Sequence, residues 1–144
     1  MSESTLHLID KPNYGLGIFS TVEQYDLPLR LAAICPIRHA GNYLAEIGAG
    51  PVDAVKIDVQ GFEPEVLRGL HNILKRYRPV IWCEIGSATS AKIATTGELS
   101  ELVPFGFHCF EIASRSDWAG NSVGLRERSG DLPRADYMLI PGNK

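Results

Sequence analysis

Asp53-Ala54-Val55-Lys56-Ile57-Asp58-Val59-Gln60-Gly61-Phe62-Glu63-Pro64-Glu65-Val66-Leu67-Arg68-Gly69 decides the fold class of this chain. An apolar run, Ala54 to Val59, carries a carboxylate near its end, and a glycine turn hands it on to an amphipathic segment opened by Glu63 and Pro64. Strand, turn and helix in that order are what α/β proteins use to build ligand sites. Val66, Leu67, Leu70, Ile73, Leu74 and Tyr77 recur at helical spacing, with Glu65, Arg68, Asn72, Lys75 and Arg76 on the other face. Such a helix packs one side on a sheet and turns the other to water. Pro64 suits the first helical position, where its missing N–H would have had no partner. Acids at the start and Lys75, Arg76 and Arg78 at the end complement the macrodipole, and Pro79 ends the helix. Gly69 costs about 1 kcal/mol relative to alanine inside a helix and is read as a point of close packing against a strand. A second apolar run, Val80 to Ile85, follows at once. The whole is a βαβ unit with parallel strands and a right-handed crossover.

This unit brings two carboxylates together. Asp58 and Glu84 each stand near the carboxyl end of their strand, and open parallel sheets bind ligands in the crevice outside those ends. Neighbouring strands lie about 5 Å apart, so both acids reach one divalent cation such as magnesium, or one substrate hydroxyl. A plainer role stands beside this one: acids at strand ends accept hydrogen bonds from the following helix, and Lys56 pairs with an acid across the sheet.

The rest of the chain fits around the unit. Its 144 residues, 44% hydrophobic and 22% charged, suit one domain with a working core. A net charge of −3 and the lack of a basic stripe argue against nucleic acid as a partner, since the Lys75 to Arg78 cluster is accounted for as a helix end. No segment approaches the roughly 20 apolar residues of a membrane span and no signal-peptide pattern opens the chain, so a cytoplasmic protein without membrane partners is expected. Cys35, Cys83 and Cys109 have no C-x-x-C spacing and read as buried thiols rather than ligands.

Beyond Glu84, Ser87 to Lys92 is a polar connection, Gly97 to Val103 a short helix and Gly106 to Ile112 a strand. Ser114 to Arg134, with Asp117, Trp118, Asn121, Arg126 and Arg128, reads as a long polar loop, either a binding lid or, as the better-supported alternative, a flexible hairpin connection. Tyr137 to Ile140 closes the chain as a strand. Ahead of Asp53, Thr5 to Ile9 and Arg30 to Arg38 read as strands, Asp10 to Ser20 as a turn region, and Asn42 to Ile47 as a short helix ended by Gly48. Gly15-Leu16-Gly17 and Glu46-Ile47-Gly48-Ala49-Gly50 have the look of nucleotide loops, but neither has the strand or helix that such loops require.

The run Val52 to Gly69, followed by Arg78-Pro79-Val80-Ile81-Trp82-Cys83-Glu84-Ile85, resembles the second half of FkbM-type methyltransferases, S-adenosylmethionine-dependent enzymes that in many cases methylate oxygen. The family signature, K-I-D-V-[EQ]-G-x-E followed by V-L-x-G, is matched by Lys56, Asp58, Val59, Gln60, Gly61, Glu63, Val66, Leu67 and Gly69. Asn13-Tyr14-Gly15 and Arg38 to Ile47 also look like the stretch that precedes it.

The resemblance implies S-adenosylmethionine as cofactor, contacted by Gln60, Gly61 and Glu63. Asp58, Glu84 and Lys56 become the catalytic group and a small hydroxyl compound the acceptor. It also implies a partial Rossmann-like class I fold, a mostly parallel sheet of strands four to seven with flanking helices, in a single truncated domain over 1–144. The family's cofactor loop and ribose-binding acid precede this part of the fold. Without the strand that bears that loop, the strand Ala54 to Val59 has an open edge. Either Thr5 to Ile9 or Arg30 to Arg38 is expected to cover it, or a partner chain does, as in a homodimer. The alternative function is a non-catalytic dimeric binding module lacking the cofactor site.

Overall fold

The structure, a computed structural model, describes the backbone of residues 2–9, 17–20, 29–117 and 120–143, and the side chains of 36, 38–113 and 122–143. The chain divides into two compact units, Met1–His39 and Ala40–Lys144.

In the first unit, strands β1 (Ser2–Ile9), β2 (Gly17–Ser20) and β3 (Leu29–Ile37) form an antiparallel sheet in the order β2-β1-β3. β1 and β3 are the strands expected over Thr5 to Ile9 and Arg30 to Arg38. The turn region expected over Asp10 to Ser20 ends instead in β2, and its residues 10–16, with the Asn13-Tyr14-Gly15 turn, lie outside the described residues.

The second unit runs α1 (Ala40–Glu46), β4 (Ala54–Ile57), α2 (Glu63–Gly69), α3 (His71–Tyr77), β5 (Val80–Ile85), α4 (Ser87–Ser90), α5 (Thr96–Leu102), β6 (Phe107–Asp117), β7 (Gly120–Arg128) and β8 (Ala135–Pro141). Its five strands stand in the order β4-β5-β8-β6-β7. β4 and β5 are parallel, as the βαβ reading requires, and every other pairing is antiparallel. The expectation of a mostly parallel sheet is therefore corrected to a mixed one. β5 and β6 do point the same way, but β8 inserts between them in the opposite sense. An apolar run such as Tyr137 to Ile140 signals a buried strand without signalling its direction.

The amphipathic segment after the glycine turn is two helices. Leu70, following Gly69, has φ −94° and ψ −1° and donates to both Val66 and Leu67 carbonyls. This tightened turn separates α2 from α3 while the apolar face continues across it. Leu67, Leu70 and Leu74 join Ile57, Ile81, Cys83, Ile85 and Leu139 in one buried cluster, so the helices cover the face of the sheet that β4 shows at Ile57. Arg78 closes α3 in the left-handed conformation, φ 51°, just before Pro79.

α5 begins one residue before the helix expected over Gly97 to Val103. Thr95 caps it, with Glu98 returning the bond to complete a capping box. The Ser114 to Arg134 stretch is mostly hairpin: β6 continues to Asp117 and β7 returns alongside it. The alternating apolar signal is absent because β7 is a sheet edge with solvent around it, Val123 being 74% and Leu125 50% exposed. No helix among the described residues is long and apolar enough to cross a membrane.

Candidate functional site

Because side chains alternate along a strand, the register fixes which residues share a face. Lys56 lies beside Trp82, and Trp82 beside Met138. One step of two residues further along, Glu84 lies beside Asp136. All of these occupy the sheet face opposite Ile57, Ile81 and Cys83. Asp58 follows the last residue of β4 on the same side as Lys56, so the strand ends deliver Asp58 and Glu84 to one place.

The side chains meet there. Lys56 Nζ donates to Asp58 Oδ2 at 3.0 Å and stands 5.5 Å from the centre of the Trp82 ring. Gln60 Nε2 donates to Asp58 Oδ1 at 2.9 Å and also to Glu84 Oε2 at 3.4 Å, bridging the carboxyl groups. Trp82 Nε1 donates to Asp136 Oδ1 at 3.0 Å. Hydrogen bonds from Lys56 and then Gln60 hold Asp58 below its ordinary value, whereas partial burial, followed by the hydrogen-bonded Asp58 carboxyl, raises Glu84. Paired acids whose environments push their proton affinities apart can divide the roles of proton acceptor and donor.

The turn that carries Gln60 is unusual backbone. Gln60 has φ +52° and Gly61 φ +104°; the first is uncommon for a residue with a side chain and the second is glycine territory. Glu63 Oε1 accepts from the Val59 and Gly61 N–H groups, both at 3.1 Å, and Oε2 accepts from Gly61 at 3.0 Å and from the Thr89 hydroxyl. Glu63 is 1% exposed and Thr89 is fully buried.

Of the three residues read as cofactor contacts, then, Glu63 is enclosed by its own turn. The Gly61 N–H is taken by Glu63, and the Gly61 carbonyl accepts from Lys92 Nζ at 3.1 Å. Only the Gln60 side chain faces the carboxyl pair.

The arrangement does not fit the divalent cation expected at Asp58 and Glu84. No group of three or more His, Cys, Asp or Glu side chains among the described residues could hold a metal ion. The Lys56 ammonium already sits on Asp58 and opposes a second cation. The two cysteines with described side chains are buried thiols, as expected; burial first of all raises Cys83 to about 12 and Cys109 to about 11.

Lys56, Asp58, Gln60 and Glu84 all fall within residues 32–109, more than half of the chain, which match the family model of the methyltransferase FkbM domain. The chain belongs to the FkbM methyltransferase family. No curated protein and no solved structure matches it. The FkbM segment runs from within β3 into β6 and so contains both parallel strands and the turn between β4 and α2.

Sequence reading missed Trp82, Thr89, Lys92 and Asp136 at this site. Trp82 was visible only as part of an apolar run, and Thr89 and Lys92 only as polar residues of a connection. They join the site through the pairing of β5 with β4 and β8 and through the return of α4 onto the glycine turn, neither of which leaves a local pattern.

Proposed function

We propose that this FkbM-family chain serves methyl transfer to the hydroxyl oxygen of a small acceptor, with the reaction centred outside the carboxyl ends of β4 and β5. The observation that supports this most is the convergence of Asp58 and Glu84, bridged by Gln60, at the ends of two adjacent parallel strands. In this reading Asp58, kept ionised by Lys56, accepts the hydrogen bond of the acceptor hydroxyl. It takes the proton as the oxygen becomes bonded to carbon. Glu84 fixes the position of the Gln60 amide and, through it, the orientation of Asp58. The Trp82 ring forms the apolar floor beside Lys56. The family's S-adenosylmethionine, when bound, supplies the electrophilic methyl group. No cofactor contact is assigned to Gly61 or Glu63, whose polar atoms are engaged within the turn.

A second reading is a non-catalytic module that binds a ligand or partner chain at the same crevice. That same engagement of Gly61 and Glu63 favours it, because two of the donors and acceptors read as cofactor contacts are already satisfied.

Calorimetric titration of the full chain with S-adenosylhomocysteine separates the two. Saturable binding, undiminished in Asp58→Asn, supports methyl transfer. Absence of heat at about 1 mM ligand, which sets a bound of roughly −4 kcal/mol on the affinity, overturns it in favour of the binding module. With an acceptor in hand, Asp58→Asn should slow turnover by about 10²–10⁴, the usual worth of a positioned proton acceptor.

A further inference from the structure

We infer that Glu63 and Thr89 are positioning residues, a buried clasp that locks the turn after β4 to the helix after β5 and so holds Asp58 and Gln60 against Glu84. The inference rests on the reading of Asp58 and Glu84 as the working pair, but its geometry stands apart from any chemistry.

Three separate contacts join the two segments. The Thr89 hydroxyl of α4 donates to Glu63 Oε2, whose carboxyl group also gathers the Val59 and Gly61 N–H groups. Lys92, just beyond α4, donates to the Gly61 carbonyl at 3.1 Å and pairs with Glu65 of α2 at 3.1 Å. Gly61 lies so close to α4 that a Cβ on it would stand 2.8 Å from the Ala88 Cβ. Gln60, a residue with a side chain at positive φ, persists there only where surrounding structure over-determines it, and these contacts supply that determination.

Chain order explains what the clasp accomplishes. Asp58 and Gln60 lie within five residues before Glu63, and Glu84 stands three residues before α4, so tying Glu63 to Thr89 makes one rigid piece of the two strand exits. The β4–β5 ladder ends at Ile57 and Cys83, so beyond it the exposed Asp58 and Gln60 depend on the turn for their place against Glu84. Glu63, a residue matched by the family signature, thus acts from inside, through the turn, rather than by touching a ligand.

Nuclear magnetic resonance of the full chain tests this without any acceptor. In the wild type, the Val59 and Gly61 amides should be protected from hydrogen exchange. The Gln60 side-chain amide protons should be shifted from the free-glutamine position by their two carboxyl partners. Thr89→Val keeps the volume and removes the hydroxyl; it should speed exchange at Val59 and Gly61 by about fivefold to tenfold, the worth of one hydrogen bond, and return the Gln60 side-chain signals toward the free position. Thr89→Ser should restore both. Val103→Ala, a core change at the residue that ends α5, should lower the melting temperature while leaving the Gln60 signals in place.

Should Thr89→Val fail to fold, Glu63→Gln is read in the same way. Unchanged Gln60 signals in a folded Thr89→Val or Glu63→Gln variant would overturn the inference. So would wild-type Val59 and Gly61 amides that exchange as fast as those of an unstructured peptide. Failure to bind S-adenosylhomocysteine would instead count against methyl transfer and leave the clasp intact, so the two ideas fail separately.

Discussion

At Gly61 the backbone and the packing make the same demand. Its φ of +104° is strained for any residue with a side chain, and a Cβ would meet the Ala88 Cβ at 2.8 Å. Gly61→Ala should therefore cost about 1–3 kcal/mol, read from urea unfolding, and Ala88→Gly in the same chain should recover only the steric share. The carboxyl pair yields a pH prediction whose sign differs between its members. Glu84 is raised by burial and by Asp58, so its contribution to stability is present below its unfolded value and is lost as pH rises through the folded one. Asp58 is lowered by Lys56 and Gln60, so its contribution is present above its unfolded value and is lost as pH falls through the folded one. Melting curves should show Glu84→Gln at least as stable as the wild type at pH 7, and Asp58→Asn less stable there but converging with it in acid. Both differences should stay under about 1 kcal/mol because water reaches and screens these groups. That Asp58 and Glu84 converge was legible, since both end apolar runs of one βαβ unit. That Glu63 faces inward was not, because an acid at a helix start is ordinarily solvated.

Among the elements, α5 shows a signal that sequence reading overlooked. Thr95 and Glu98 form a reciprocal cap, and the S/T-x-x-E spacing that encodes it is local. Thr95→Ala should lower stability by about 1 kcal/mol in chemical denaturation. The hairpin over Ser114 to Arg134 was expected only as a flexible connection, and the long pairing of β6 with β7 was illegible for the opposite reason. β7 borders the sheet, its residues meet water on both faces, and the alternation that identifies half-buried strands has no cause to arise there. β4 stands at the other border, paired on one side by β5. Among the described residues, the N-terminal strands expected to cover that edge form a sheet of their own, and pairing between chains is proposed for β4. Light scattering should then show a dimer that Ala54→Pro, which removes an N–H from the open edge while Val55 keeps facing β5, shifts toward monomer. A wild-type monomer at all concentrations would refute it.

At the scale of the molecule, the unit Ala40–Lys144 has its own core, built from α2, α3 and α5 on one face of a mixed sheet. Leu74 is fully buried in it, and Leu74→Ala should cost about 2–5 kcal/mol, followed through the fluorescence of the chain's tryptophans. The sequence by itself determined the βαβ unit, the buried stripe of its helices, and the family signature carried by the turn, because periodicity, caps and turn residues act between neighbours in the chain. Only the tertiary structure decided that β8 would slip antiparallel between β5 and β6, that Trp82 and Asp136 would stand beside the carboxyl pair, and that Thr89 would close on Glu63. Those outcomes depend on which surfaces are buried together and on satisfying every buried polar group at once, conditions that no short stretch of residues can express.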